Sequence, residues 1–412
     1  MNRLLAPPLA LYVHLPWCVR KCPYCDFNSH ALDGQIPEQR YVSALLCDLQ
    51  RQVPDAHGRE VVSVFLGGGT PSLFSPAAID RLLQGVHALL RIGAGAEITM
   101  EANPGTIEHG RFADYRAAGV TRVSLGGQSF NARHLKALGR IHSADETRRA
   151  VQELRRARIE NFNIDLMYAL PAQSVAQAEA DIAAALALEP THLSHYQLTL
   201  EPGTVFFHRP PALPDEDASW EMQRTCQERL AAAGYQQYEV SGYARAGHRC
   251  VHNLNYWQFG DYLGIGAGAH GKITDAGRGV VERTAAVRQP RQYLDTFAPG
   301  ADSSAGKAGR AAIAAGHEHN AVASEDLPFE FMLNALRLVE GFSREQFESR
   351  TGLALDSVDS VLDAARRKGL LESHGTEHWR PTELGLRFLN DLQASFLAAR
   401  PTEIPAQRAN LR

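Results

Sequence analysis

Short apolar segments rich in β-branched residues alternate with amphipathic segments over the first half of the chain. Six of them have the length of buried strands: 9–15, 61–66, 97–102, 122–127, 161–170 and 192–200. The segments between them predict helices over 38–51, 76–90, 108–118, 144–158 and 175–188. Ser75 followed by Pro76 is a helix start signal, and Gly119 ends the helix before it. Six strands that alternate with helices predict an α/β fold with a parallel sheet and right-handed crossovers, which we interpret as a partial (β/α)6 barrel.

The pattern changes beyond residue 200. A proline-rich connection at 201–217 leads to a predicted helix at 220–233 and a strand-like segment at 235–244. The segment 298–323 is rich in Ala, Gly and Ser, and it is followed by the order helix, turn, hairpin, helix. We therefore expect four parts, which are a (β/α)6 core at 1–205, a core extension at 206–297, a flexible linker at 298–323 and a small helical or winged-helix-like domain at 324–400.

Composition is that of an ordinary folded protein. Hydrophobic residues make up 44% and charged residues 21% of 412 residues, which excludes disordered and collagen-like classes. The net charge of −4 gives no reason to expect a nucleic-acid partner. There is no run of 18 apolar residues, and the N-terminus lacks the features of a secretory signal. We expect a cytoplasmic protein without an integral membrane segment.

Three of the six cysteines, Cys18, Cys22 and Cys25, fall within eight residues directly after the first predicted strand. Thiolates this close can converge on one metal centre. A structural zinc site takes four ligands, and we find no second pair at a suitable spacing. Three thiolates on a four-iron cluster leave one iron open to a small chelating molecule. A zinc site and a coincidental grouping are the alternatives.

The segment CVRKCPYC, with Tyr24 before its last cysteine, resembles the radical S-adenosylmethionine (SAM) signature. In that family three cysteines hold a [4Fe-4S] cluster whose fourth iron binds SAM. LGGGTPS at 66–72 is similar to the loop that contacts the SAM amino group in the family, although a glycine turn alone would also explain it. The resemblance covers nearly the whole chain, and it implies a barrel of the radical SAM type.

Polar residues at the ends of the predicted strands are candidates for the SAM site, because ligand groups in a parallel barrel gather at the carboxyl ends of strands. The resemblance extends to the branch that contains the anaerobic coproporphyrinogen III oxidases. It implies cofactor-binding roles, and no catalytic role, for Tyr12, Tyr24, Gly68, Gly69, Thr70, Glu101, Gln128, Arg140 and Asp165. Alternatively, Tyr12 is a half-buried strand residue without a ligand. Asp165 is alternatively the ion-pair partner of an arginine. Gly127 replaces the bulkier apolar residue that the family more often has before Gln128, which puts the local packing in question.

Two features separate the oxidase from its heme chaperone relatives within this branch. Phe27 stands where the oxidase has a fourth cysteine, two residues after the triad. HNLNYW at 252–257 is similar to a motif associated with heme binding in the chaperones. A neutral His252 imidazole can ligate heme iron, and aromatic rings can pack on a porphyrin. Alternatively, His252 is a packing residue. Cys250 is either an axial thiolate ligand of the heme iron or a core residue.

The resemblance thus implies a heme chaperone that binds a [4Fe-4S] cluster, SAM and heme, and that transfers heme to an acceptor such as a respiratory-chain protein. It also implies an electron donor such as a flavodoxin-type reductant. The alternative function is that of an oxygen-independent coproporphyrinogen III dehydrogenase, a radical SAM oxidative decarboxylase. The phenylalanine at position 27 argues against this enzyme, and whether the protein has another enzymatic activity stays open.

Overall fold

The computed structural model describes residues 4–106, 111–299 and 316–397. Its strands are β1 (Leu9–Leu15), β2 (Trp17–Cys18), β3 (His30–Ala31), β4 (Glu60–Gly68), β5 (Arg91–Ala102), β6 (Arg122–Gln128), β7 (Phe162–Tyr168), β8 (His192–Gln197), β9 (Gln236–Gln237), β10 (Gly242–Ala244), β11 (Asp261–Ile265), β12 (His270–Asp275), β13 (Val280–Ala286), β14 (His317–Ala321), β15 (Phe342–Ser343), β16 (Leu371–His374) and β17 (His378–Pro381).

Its helices are α1 (Glu38–Gln52), α2 (Pro76–Leu89), α3 (Arg111–Ala117), α4 (Ala132–Ala137), α5 (Ala144–Arg156), α6 (Val175–Leu186), α7 (Val205–His208), α8 (Glu216–Ala232), α9 (Val251–Trp257), α10 (Pro290–Thr296), α11 (Leu327–Ala335), α12 (Arg344–Thr351), α13 (Asp359–Arg367), α14 (Glu383–Arg387) and α15 (Leu389–Ala394). Within the described ranges, none of these helices has the length and apolar character needed to cross a membrane.

A large sheet with the strand order β14-β13-β12-β11-β1-β4-β5-β6-β7-β8-β10-β9 organises the core. The neighbours from β11 through β8 pair in parallel, and the strands at both edges pair antiparallel. All six predicted strands are present as β1 and β4–β8, and helices α1–α6 lie between them along the chain. The predicted α/β class with its (β/α)6 arrangement is therefore confirmed.

Local signals explain the boundaries of several helices. The Ser75 hydroxyl accepts a hydrogen bond from the Ala78 amide at the start of α2, and Pro76 is the first helical residue. Gly119, which follows α3, has a φ of +110°, a conformation that favours glycine. Ser143 and Ser174 form capping boxes at the starts of α5 and α6. These signals start and stop the crossover helices so that each following strand returns to the sheet.

A separate apolar core lies in the C-terminal part of the chain. Phe331 of α11 packs edge-on against Phe342 and Phe347. The small sheet β15-β17-β16 and helices α11–α15 surround this core. The C-terminal part also contacts α9, because the Arg337 guanidinium lies 4.2 Å from the centre of the Trp257 ring. The order of helices and a hairpin agrees with the predicted helical, winged-helix-like domain.

The linker prediction for 298–323 needs a correction. Residues 300–315 lie outside the described residues, but His317–Ala321 form β14, which pairs antiparallel with β13. The Nε2 atom of His317 also lies 2.8 Å from a carboxylate oxygen of the buried Asp48. The strand sequence HEHNA contains no large apolar residue, so the hydrophobic pattern could not reveal it. Backbone hydrogen bonds to the exposed edge of β13 hold β14 in the sheet instead.

Candidate functional site

A cavity of about 340 Å³ opens at the carboxyl ends of the parallel strands. This is the end of a parallel barrel where ligand groups gather. The structure brings together in its lining Cys18, Cys22, Tyr24, Cys25, Thr70, Glu101, Gln128, Arg140 and Asp165. These residues come from five strand ends or the loops that follow them, so the strand-end argument located most of the predicted site.

Each cysteine thiol has a polar neighbour in the cavity wall. The Thr70 hydroxyl donates to the Cys18 sulfur at 3.5 Å, and the Arg140 guanidinium donates to the Cys22 sulfur at 3.7 Å. The Cys25 sulfur lies 3.7 Å from the Ser29 hydroxyl. Burial raises the pKa of the Cys18 and Cys25 thiols, so both are protonated at neutral pH until a metal displaces the proton.

The donor set fits a cluster better than a single ion. Within the described part of the chain, no three His, Cys, Asp or Glu side chains are close enough to share one metal ion. The three thiols nevertheless face one cavity, next to hydrogen-bond donors that stabilise thiolate charge. A [4Fe-4S] cluster is larger than a single ion and takes thiolates from separate corners.

The glycine loop is packed against the segment that leads into the cysteines. The Gly69 amide donates to the Leu15 carbonyl and the Thr70 amide to the Trp17 carbonyl, both at 2.8 Å. A Cβ atom at Gly69 would lie 2.5 Å from the Trp17 oxygen, so only glycine allows this approach. Gly68 and Gly69 do not line the cavity. Their observed role is to hold Thr70 beside Cys18.

Two carboxyl groups stand in the cavity wall. Glu101 accepts a hydrogen bond from the Gly68 amide at 3.1 Å, and burial, then the Asp165 charge, raises its pKa to about 8. Asp165 accepts from Asn163 at 2.7 Å and from Ser124 at 3.3 Å, and burial raises its pKa. Asp165 is thus held by neutral donors. A cationic ligand group in this cavity would lower the pKa of both carboxyl groups and so stabilise their ionised forms.

Gln128 has an unusual backbone and an unsatisfied side chain. Its φ of +58° lies in the left-handed region, and its buried Oε1 atom has no hydrogen-bond partner. Its Nε2 atom lies 3.5 Å from the Tyr196 hydroxyl. A Cβ atom at Gly127 would lie 3.3 Å from Ile164, so the glycine relieves crowding beside Gln128. A strained residue with a free acceptor in a cavity is typical of a ligand contact.

The structure does not bring His252 or Tyr12 to the cavity. The His252 side chain is 1% exposed, with its Nδ1 atom 3.0 Å from the Ser63 hydroxyl and its ring stacked on Phe65. Burial lowers the pKa of His252 to about 3, and its Nε2 atom has no partner. Tyr12 lies next to it, with ring centroids 6.5 Å apart. The motif helix α9 therefore points its histidine into the barrel interior, away from the cavity that the cysteines line.

Cys250 is equally enclosed. It is fully buried, and its sulfur donates to the Glu97 carboxylate at 3.4 Å. This contact agrees with the core alternative and not with an accessible axial thiolate.

Sequence reasoning missed Tyr196 and Arg20. Both line the cavity, and the Tyr196 hydroxyl is the neighbour of Gln128. Tyr196 lies near the carboxyl end of β8, so the strand-end argument applied to Glu101 would also have identified it. Arg20 lies between two of the cysteines, and no spacing signal marks it.

The raised pKa of Glu101 predicts a pH effect on stability. Unfolded glutamate loses its proton near pH 4.5, whereas folded Glu101 keeps it to about pH 8. The folded state therefore binds more protons between these values, and its stability falls as pH rises through this window. We expect Glu101→Gln to raise the melting temperature of the metal-free protein relative to wild type, with a gain that grows from about pH 5 to about pH 8.

The control for this prediction is Glu221→Gln, because Glu221 is exposed on α8. Differential scanning calorimetry across the pH range compares the two variants with wild type. If the gain in melting temperature of Glu101→Gln does not change with pH, or equals that of the control, folded Glu101 does not keep its proton in this pH range.

Comparison with known proteins places these features in a family. Residues 12–185 match the model of the radical SAM superfamily, and residues 322–388 match the HemN C-terminal domain. The heme chaperone HemW of Escherichia coli is 50% identical over 392 residues, which are 95% of this chain and 99% of that protein. The chain belongs to the HemW family. The Haemophilus influenzae heme chaperone HemW is 45% identical, over 95% of this chain and 98% of its own length.

A solved structure shares the fold of this HemW family member. The coproporphyrinogen III oxidase HemN from Escherichia coli, described as a radical SAM enzyme, superimposes with a TM-score of 0.78 at 22% identity. The match covers 96% of this chain and 91% of that chain. It confirms the predicted radical SAM fold with a C-terminal domain. A radical SAM domain is the type of domain that holds a [4Fe-4S] cluster and SAM, and its matched range contains all three cavity cysteines.

Proposed function

We propose that the protein is a heme chaperone that binds a [4Fe-4S] cluster, SAM and heme and passes heme to an acceptor protein. The observation that carries this proposal is the 50% identity to the Escherichia coli heme chaperone HemW, which extends over 95% of this chain and 99% of that protein. Similarity over the full length includes the cavity, α9 and the C-terminal domain, and so it is more than a shared radical SAM core.

Cys18, Cys22 and Cys25 would hold the cluster, which supplies one-electron chemistry and an open iron. Thr70 and Arg140 donate hydrogen bonds to two of these sulfurs and so stabilise thiolate charge. Glu101 and Asp165 offer buried carboxyl groups to the amino group of SAM. Gln128 offers an unpartnered amide oxygen to a donor on the same ligand. We assign binding and positioning roles to these residues and no catalytic role.

Phe27 supports the chaperone over the decarboxylase. Its side chain is 58% exposed at the cavity, where the resemblance places a fourth cysteine in the dehydrogenase. An exposed phenyl ring cannot ligate metal, but it can contact a flat apolar molecule. The proposed partners are an acceptor of heme and a flavodoxin-type electron donor. A respiratory-chain protein is a candidate for the acceptor. We propose the cytoplasm as the compartment.

Two anaerobic measurements on the iron-reconstituted protein test this function. In the first, heme is titrated and the Soret band is followed. We expect saturation at about one heme per chain, as for a specific site. In the second, a separate sample receives coproporphyrinogen III, SAM and reductant, and we expect no decarboxylated product. If decarboxylated product forms and heme binding is not saturable, the chaperone function is wrong and the decarboxylase function is supported.

A further inference from the structure

An open groove of about 440 Å³ lies next to the cysteine cavity. We call it the α4 groove, because Ala132, Leu135 and Lys136 of α4 line it. The segment 139–143 and the first turn of α5 supply another part of its wall. Arg20, which lies between two of the cysteines, lines it as well. The groove therefore borders the loop that carries the cysteine triad.

Arg140 connects the α4 groove to the cysteine cavity, because it lines both. Its Nη1 atom lies 3.7 Å from the Cys22 sulfur, and its Nη2 atom donates to the Gly126 carbonyl at 2.8 Å. Gly139, at the end of α4, has a φ of +69°, and a Cβ atom there would lie 2.8 Å from the Pro23 Cδ atom. Glycine thus allows α4 to pack on the cysteine loop. One residue then extends from the groove to a cysteine sulfur.

The α4 groove is positively charged, although the whole chain has a net charge of −4. Its lining contains three cations, Arg20, Lys136 and Arg140, and one carboxylate, Glu146. Glu146 already accepts two hydrogen bonds at the start of α5. His142 adds no charge at neutral pH, because burial and then the Arg140 charge lower its pKa to about 4. The lining is therefore complementary to an acidic surface.

An apolar side chain is exposed in the same groove. Ile141 is 47% exposed, and Arg20 and Lys136 are exposed in the lining with it. An apolar centre with charged neighbours is typical of protein–protein interfaces, and redox partners use small interfaces of this kind. The cations would also speed the encounter with an acidic partner. A redox group in that partner would come close to a cluster held at Cys22.

We propose that an acidic one-electron carrier protein of the flavodoxin type docks in the α4 groove and reduces the cluster from there. This proposal rests on the proposed cluster-binding function and names the surface that its electron donor uses. One electron leaves the carrier and enters the cluster, and no bond forms or breaks. Lys136 and Arg20 face acidic side chains of the carrier, and Ile141 packs on its apolar part.

Binding of a bacterial flavodoxin to the iron-reconstituted full chain tests the docking surface. Calorimetric titration compares variants at about 10 mM and about 300 mM sodium chloride. We expect wild-type binding to weaken as the salt concentration rises. We expect Lys136→Glu to weaken binding at low salt by about fivefold or more, because it places a like charge opposite the acidic carrier. The matched control is Lys368→Glu, which makes the same change at an exposed lysine outside the groove lining and should keep wild-type affinity.

The rate of cluster reduction gives a second readout, which does not depend on any reaction of SAM. Stopped-flow absorption follows the loss of the visible cluster band after anaerobic mixing with reduced flavodoxin. We expect Lys136→Glu to lower the second-order rate constant by about fivefold or more. Photoreduced 5-deazaflavin is a small reductant that needs no docking surface. It should reduce Lys136→Glu and wild type at the same rate, which would show that the variant is folded and holds its cluster.

The other outcomes overturn the proposal in distinguishable ways. If Lys136→Glu binds flavodoxin as tightly as Lys368→Glu, the α4 groove is not the docking surface. If the wild-type chain does not bind flavodoxin at either salt concentration, the assignment of the carrier is wrong. If Lys136→Glu loses only the binding of phosphatidylglycerol vesicles, the groove contacts a membrane surface instead. These results leave the chaperone function intact, because heme titration measures it separately. A wild-type chain that takes up no iron overturns the proposed cluster itself, and this proposal with it.

Discussion

Replacement of Cys18, Cys22 and Cys25 together by serine is expected to abolish iron binding. The wild-type chain should take up about four irons per molecule on anaerobic reconstitution, and the triple variant fewer than about one. The reason is that these thiols are the cysteines of the described chain that line the cavity, and serine oxygen is a poor ligand for a soft iron–sulfur centre. Iron and sulfide analysis together with the visible charge-transfer absorption measure the result.

The matched control is Cys47→Ser on α1. This cysteine is half-buried like the cavity cysteines, but it does not line the cavity. We expect wild-type iron content from it. Full iron content in the triple variant would show that the cluster is not held at these positions. A wild-type chain that takes up one zinc ion and no iron would instead favour the zinc site.

The sequence predicted the core because its strands are simple apolar segments. β1 was predicted with its observed bounds, since LALYVHL is buried at six of seven positions. The cavity followed from a single physical rule, that side chains at the carboxyl ends of parallel strands meet. Glu101 and Asp165 lie far apart in the chain and face the same cavity for this reason.

The parts that could not be predicted depend on tertiary placement. The pattern HNLNYW gives no sign that α9 closes against β4 inside the barrel, where Ser63 and Phe65 enclose His252. Helical periodicity shows which face is apolar, but not which cavity that face enters. The same limit applies to β14, whose polar residues pair with the preceding strand β13 at the edge of the sheet.

The C-terminal domain explains why α9 stays in the barrel. Arg337 stacks on Trp257 at the end of α9, and Arg249, which precedes the helix, forms an ion pair with Glu340 at 2.7 Å. The Glu97 carboxylate accepts from the His252 amide at 3.3 Å on the inner side. Exposure of His252 to a heme would break contacts on both sides of the helix.

Removal of Asp261 is expected to have the largest effect on folding. This carboxylate is fully buried at the start of β11, 2.8 Å from the Lys272 ammonium and 2.7 Å from Arg59. Lys272 is itself 1% exposed, and burial lowers its pKa to about 8 even with Asp261 beside it. Asp261→Ala would leave this ammonium buried without its carboxylate. We expect the free energy of unfolding at pH 7 to fall by about 3–5 kcal/mol, measured by urea denaturation.

The control is Asp295→Ala, which removes the exposed partner of Arg40 and should cost no more than about 1 kcal/mol. A second variant separates charge from packing. Asp261→Leu combined with Lys272→Met removes both charges, and it should recover most of the stability that the single change loses. If Asp261→Ala costs no more than Asp295→Ala, the buried pair does not hold β11 in the sheet.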